Sequence, residues 1–166
     1  MEVRQMATAY LFNEDKVLML KRLGSRLPDD AFWTGLGGHL EPEELSHPKE
    51  ACIREVYEES GIKSEDIIDL ELKYILHRIK NSEIRLQYVY FGKTDMVDLA
   101  ACDEGELIWV PKKELLNLTM SRINSFMLEH YLTSPSSQHI MVGTITLNKL
   151  GKPLMQWSEL KDPLIF

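Results

Sequence analysis

The chain has 166 residues, 44% hydrophobic and 27% charged; that is enough for one folded domain with its own core, and it excludes disorder over the whole length. Nineteen basic against 26 acidic residues leave a formal net charge of -7, which repels polyanions and disfavours polymeric nucleic acid as a partner. Cys52 and Cys102 lie far apart and form no ligand-like cluster, so thiols in a reducing compartment are expected rather than a disulfide.

Residues 1–5 lack the basic and apolar regions of a leader, and no run approaches the ~18 apolar residues of a membrane span. A cytoplasmic protein without a membrane partner is expected. Residues 6–12 and 17–20 are apolar around a polar turn at 13–16, which predicts strand, turn and strand. Continuous apolar runs point to strands covered on both faces. The second run ends at Lys21-Arg22, followed by a loop over 24–30. Two readings stand open for these cations, contact with an anionic ligand and plain solvated charge.

Residues 33–38 contain Gly35, Gly37 and Gly38. Glycine so concentrated predicts a loop around a site or a tight turn. Pro48 suits the first turn of a helix and Gly61 the left-handed residue after its last turn. Between them about three and a half turns are expected. At roughly 100° per residue, Glu55, Glu58 and Glu59 share one arc, while Cys52, Ile53, Val56 and Tyr57 fill the opposite, core-facing arc. Glu55 repels Glu58 at i+3 and Glu59 at i+4, costing roughly 0.2–0.5 kcal/mol each, and the helix dipole disfavours acids near its C-terminus. Arg54 offsets part of this, four residues after Glu50 and four before Glu58. From the helix alone, a solvated acidic face and a metal site both remain open.

Residues 67–79 and 84–92 read as strands joined by a hairpin at 80–83. Asp103-Glu104-Gly105-Glu106 precedes a short strand at 107–110, and Pro111 opens a short helix at 112–117. Residues 120–132 place Ile123, Phe126, Met127, Tyr131 and Leu132 at helical spacing, a core stripe. A polar linker at 133–138 leads to a second predicted hairpin, 139–147 with 154–157. Residues 1–133 are expected to form the main domain, and 134–166 a linker and hairpin extension packed on it. The hairpin's edge strands offer a pairing surface for a homodimer.

Gly38, Glu44, then Arg54-Glu55-Val56, Glu58-Glu59 and Gly61-Ile62 resemble the Nudix box, Gly-x5-Glu-x7-Arg-Glu-apolar-x-Glu-Glu-x-Gly-apolar. Nine residues rather than seven separate Glu44 from Arg54, and Leu36 stands where a proline is usual. The extra residues are assigned to the loop around Leu45-Ser46, since every spacing from Arg54 onward is intact. The strand pair before the box, the segment 104–111 and the helix after it resemble the MutT type in order, so the likeness covers residues 4–132.

The resemblance implies an α/β fold, the Nudix α/β/α sandwich around a central mixed sheet. It implies Mg²⁺-dependent cleavage of a nucleoside triphosphate, such as 8-oxo-dGTP, to monophosphate and pyrophosphate. Alternatives are ADP-ribose, nucleotide sugars or another nucleoside diphosphate derivative, and, outside enzymes, a nucleotide sensor. Oxygen-only donors suit Mg²⁺, with Mn²⁺ as a substitute. By resemblance the metal ligands are the Gly38 carbonyl, Glu55, Glu58 and Glu59. Arg54 orients the glutamates, Glu55 is first choice as base, and Glu104, then Glu106, follow it unless both are solvated loop acids. Arg22, Gly37, Gly38 and Asn124 are the expected substrate contacts.

Overall fold

The structure, a computed structural model, describes residues 1–22, 31–134 and 138–164. The expected loop over 24–30 and residues 135–137 of the expected linker lie outside the described residues. The strands are β1 (Glu2–Asn13), β2 (Lys16–Arg22), β3 (Phe32–Thr34), β4 (Leu36–His39), β5 (Ile68–Lys80), β6 (Glu83–Lys93), β7 (Glu106–Pro111), β8 (Ile140–Leu147) and β9 (Pro153–Leu160). The α-helices are α1 (Pro48–Ser60) and α2 (Arg122–Thr133), with short 3-10 turns at Pro42–Glu44, Ser64–Asp66 and Lys112–Asn117.

Strand β1 is the spine. It runs parallel to β6 from Glu2↔Glu83 to Phe12↔Lys93. Its other edge is shared, antiparallel, by β4 from Met6↔His39 to Ala9↔Leu36 and by β2 from Leu11↔Leu18 onward. The sheet runs β3-β2-β1-β6-β5-β8-β9, with β7 on β2. Parallel and antiparallel pairs coexist, as the expected mixed sheet requires.

Alternation along β1 feeds two cores. Ala7, Ala9 and Leu11 meet Cys52 and Val56 of α1, whereas Tyr10 and Phe12 join the cluster containing Ile123, Met127 and Leu128 of α2. One helix therefore covers each face, and Ala7, Ala9, Tyr10 and Leu11 are all 0% exposed. That two-sided cover explains the continuous apolar run. Residues 2–5, apolar only at Val3, join the strand by pairing with β6 from Glu83 to Leu86, and Arg4 bonds Glu83 across that pair at 2.6 Å. Asn81 and Ser82, with φ of 52° and 62°, make the tight turn between β5 and β6.

The glycine-rich segment differs from expectation: it is strand, not loop. Gly37 pairs with Thr8 and Gly38 with Ala7. Glycine is required because Gly37 has φ of 153°, and a Cβ there would strike the Ala7 carbonyl oxygen and lie 2.7 Å from Thr8 Cα.

Helix α1 starts at Pro48 and ends on Gly61, whose φ is 74° and whose N–H donates to the Tyr57 carbonyl. Its buried side is rotated from the expected one: Glu59 is buried at 5% exposure, whereas Tyr57 is 54% exposed. The cause is the small surface beneath it, Ala7, Ala9, Gly37 and Gly38, which lets the Cys52–Glu59 side approach most closely. The terminal hairpin extends the same sheet, β8 lying parallel to β5 from Tyr74↔Met141 to His77↔Thr144. Trp157 of β9 stacks near Tyr74 and His130, with ring centroids at 5.6 and 4.4 Å.

Gly37→Ala is expected to lower unfolding free energy by about 2 kcal/mol or more, through its dihedral and the β1 collision. Urea denaturation checks this; an unchanged midpoint contradicts the close β1–β4 approach.

Candidate active site

Arg54 lies midway along α1 and its five N–H groups all find oxygen. Nε and Nη2 grip Glu44 at 2.7 and 2.8 Å, a bidentate pair. Nη1 donates to Glu55 at 2.9 Å and Glu58 at 3.1 Å, and Nη2 also reaches the His39 carbonyl at 3.2 Å. Charge-assisted bonds of this kind are short and directional. Among these bonds Glu58 is the expected i+4 partner, but Glu50 is replaced by Glu44.

Glu44 stays in reach despite the enlarged loop. It closes the 3-10 turn Pro42–Glu44, where its carboxylate also accepts the Glu41 N–H at 2.9 Å. Leu45 and Ser46 project outward, both exposed, and His47 then caps α1. The guanidinium beside Glu44 holds its carboxyl down to about 2. The same partners raise the pKa of Arg54.

Glu59 occupies a different niche. The Gly37 N–H donates to its Oε2 at 2.8 Å, and Arg22 approaches Oε1 at 3.5 Å. Arg22 also pairs with Glu104 at 2.8 Å. Burial is the largest influence on Glu59 and raises its pKa, and the nearby charge of Glu104 adds to this. Burial likewise raises Glu55, against the opposing pull of Arg54.

Met6, Arg22, Gly37, Gly38, His39, Arg54, Glu55 and Glu104 line one cleft of about 690 Å³. Volume alone does not select it, since a hollow of about 740 Å³ beside Phe12, Phe91 and Lys112 gathers none of the expected site residues.

Two expected residues stand apart. Glu106 opens β7 opposite Lys21 and does not line the cleft. Asn124 is on α2, across the sheet from the α1 carboxylates, where it is 6% exposed and accepts a long 3.4 Å bond from Gln87. Gln87 also donates to Thr8 at 3.0 Å. Thr8 and Gln87 escaped the sequence reading because each looks like an ordinary strand residue until β1 and β6 pair.

The family model described as NUDIX domain matches residues 3–131. The chain belongs to the Nudix family. Over 93% of its length it superposes on 97% of the MutT protein from Bacillus halodurans, with a TM-score of 0.72 and 22% identity. A MutT protein from Methanosarcina mazei Go1 matches with a TM-score of 0.64 and 25% identity, covering 78% of this chain and 93% of that one. Among curated proteins, mouse diphosphoinositol polyphosphate phosphohydrolase 2 is 50% identical over 50 residues, 30% of this chain and 25% of the relative. The matched stretch thus spans about a quarter of that relative's length.

Nudix hydrolases generally use a divalent metal. Among the described residues no ready-made cluster of three metal-binding side chains stands assembled; Arg54 and the Gly37 N–H hold the carboxylates instead. The donor set nevertheless fits a hard cation, being all oxygen. A Cβ on Gly38 would lie 2.5 Å from Glu55 Oε1, so the bare glycine makes the room that the Glu55 carboxylate occupies. No helix among the described residues is long and apolar enough to cross a membrane.

Because the Glu44 pKa is lowered in the folded chain, its pairing contributes stability above the unfolded value of about 4.3 and loses it as pH falls toward about 2. Glu44→Gln is therefore expected to cost about 1–2 kcal/mol at pH 7, with the gap to the parent closing in acid. Denaturant titrations at several pH values measure it; a gap independent of pH contradicts the ion pair.

Proposed function

We propose that this Nudix domain is a hydrolase that cleaves a phosphoanhydride bond of a nucleoside triphosphate, for example an oxidised purine nucleotide such as 8-oxo-dGTP, giving the monophosphate and pyrophosphate. The observation that carries the reading is the convergence of Glu55, Arg54, Gly38, Arg22 and Glu104 on one cleft.

In this reading Gly38 O, Glu55, Glu58 and Glu59 hold Mg²⁺, or Mn²⁺. The metal, when bound, neutralises phosphate charge and lowers the pKa of water. Glu55 takes the proton of the attacking water at its carboxylate. Partial burial raises its pKa, which brings a carboxylate base closer to neutral pH and makes it more effective. Arg54 fixes that carboxylate at 2.9 Å so that proton transfer needs no search. Glu104 is the alternative base, held through Arg22. Among the described residues the buried Arg22 Nε has no partner, a donor suited to a phosphate oxygen. Gly37 orients Glu59 through its N–H. Asn124, with Thr8 and Gln87, offers polar groups for a base edge on the α2 side.

A second reading is hydrolysis of a diphosphate derivative such as ADP-ribose or a nucleotide sugar. It is favoured by the curated relative named for diphosphoinositol polyphosphate, a diphosphate that is not a nucleoside triphosphate.

Turnover of dGTP, 8-oxo-dGTP, ADP-ribose and a nucleotide sugar with Mg²⁺, products resolved by phosphorus NMR, decides among these. Pyrophosphate release from a triphosphate is expected, and Glu55→Gln should lower kcat about 100-fold or more. Preference for ADP-ribose or the sugar selects the second reading. Tight nucleotide binding without any turnover contradicts both and leaves a nucleotide sensor.

A further inference from the structure

The α2 face of the sheet carries cations on a chain whose net charge is -7. Cross-strand register places Arg4 opposite Arg85, and Arg85 opposite Arg78. The three guanidinium-bearing residues thus form one row across β1, β6 and β5. Directly opposed like charges disfavour a sheet. Nothing in the core asks for them there.

Among the described residues one carboxylate serves the row, and it is fully committed. Glu83 Oε1 accepts from Arg4 at 2.6 and 3.1 Å, and its Oε2 from Arg85 at 3.1 and 3.2 Å. Among the described residues no hydrogen bond or ion pair holds the Arg78 guanidinium. Arg78 is partly buried, and burial with neighbouring Arg85 lowers its pKa. Glu2 and Lys80 flank Glu83 in the next row, and Glu2 makes no ion pair with the three arginines. A half-buried guanidinium without an acceptor is a costly arrangement unless an anion visits it.

The row adjoins the active-site cleft. Met6 of the preceding row pairs with both His39 and Gln87, one two-residue step of about 7 Å away. The His39 carbonyl accepts from Arg54 at 3.2 Å. Its imidazole pKa is lowered by burial and then by Arg4 and Arg85, so those guanidiniums act on the cleft rim.

We propose that Arg78, Arg85 and Arg4 form a binding site for a phosphate-class anion beside the hydrolytic cleft, with Arg78 as its unpaired donor. The anion comes either from a second phosphate carried by the substrate or from a free oxyanion.

Inorganic pyrophosphate titrated calorimetrically into the full chain, with chelator so that no metal bridges it to the glutamates, tests the site. Arg78→Gln should weaken binding about ten- to a hundredfold, with the thermal midpoint held or raised because like-charge repulsion is relieved. Arg78→Lys should recover part of the affinity. The proposal is overturned by unchanged affinity in Arg78→Gln, by binding that depends on Arg22 alone, by absence of binding, or by affinity and midpoint lost together in Arg78→Gln and unrecovered in Arg78→Lys. A second arm compares KM for dGTP with that for dGTP bearing a 3′-phosphate. A lower KM for the latter that Arg78→Gln removes supports a substrate-borne phosphate; equal KM values with pyrophosphate still bound support a free oxyanion. Only this arm rests on the hydrolase reading, so a chain without turnover leaves the metal-free titration able to decide.

Discussion

Five N–H groups on one guanidinium, each meeting an oxygen, hold together parts of the chain that would otherwise repel. Arg54 links the 3-10 turn before α1 through Glu44, the end of β4 through the His39 carbonyl, and two glutamates of its own helix. An acidic helix face gains such a geometry only from a cation that is planar and forked, which lysine is not. The loop enlarged by two residues therefore changes little: Leu45 and Ser46 absorb the extra length while Glu44 keeps both contacts.

The second constraint is steric. Helix α1 carries Glu55 and Glu59 onto the β1–β4 ladder, and only bare backbone at Gly37 and Gly38 accepts them. Gly38 leaves room for the Glu55 carboxylate, and Gly37 turns its N–H toward Glu59. Sheet pairing, helix approach and carboxylate placement are thus one packing problem solved at two residues. Glu59 is buried with less compensation than its charge requires, a local weakness in stability consistent with a site that awaits a cation.

Much of this was legible from local chemistry. Pro48 and Gly61 bounded α1 because a missing N–H and a left-handed dihedral are properties of single residues. The hairpin at Lys80–Glu83 was legible for the same reason. What depended on tertiary pairing was not. Residues 33–38 read as a loop or tight turn because glycine weakens a strand in isolation, yet four pairings with β1 make residues 36–39 a strand. Tyr57 read as core because it shares the arc of Cys52, Ile53 and Val56, whereas the surface under α1 buries Glu59 instead. Asn124 was expected as a substrate contact, but its burial, its Gln87 partner and its place across the sheet from the α1 carboxylates came only with the fold. The arginine row was invisible for the plainest reason: its members come from three strands, and register alone unites them.

In the proposed reading Arg54 stays locked to Glu44 while Gly38, Glu55, Glu58 and Glu59 receive a divalent cation. Anomalous scattering from crystals soaked in Mn²⁺ measures this directly. A peak is expected among the Gly38 carbonyl and the Glu55, Glu58 and Glu59 carboxylates, with the bidentate Arg54–Glu44 pair retained. A peak elsewhere, or an Arg54 swung away from Glu44 when the metal binds, would contradict it.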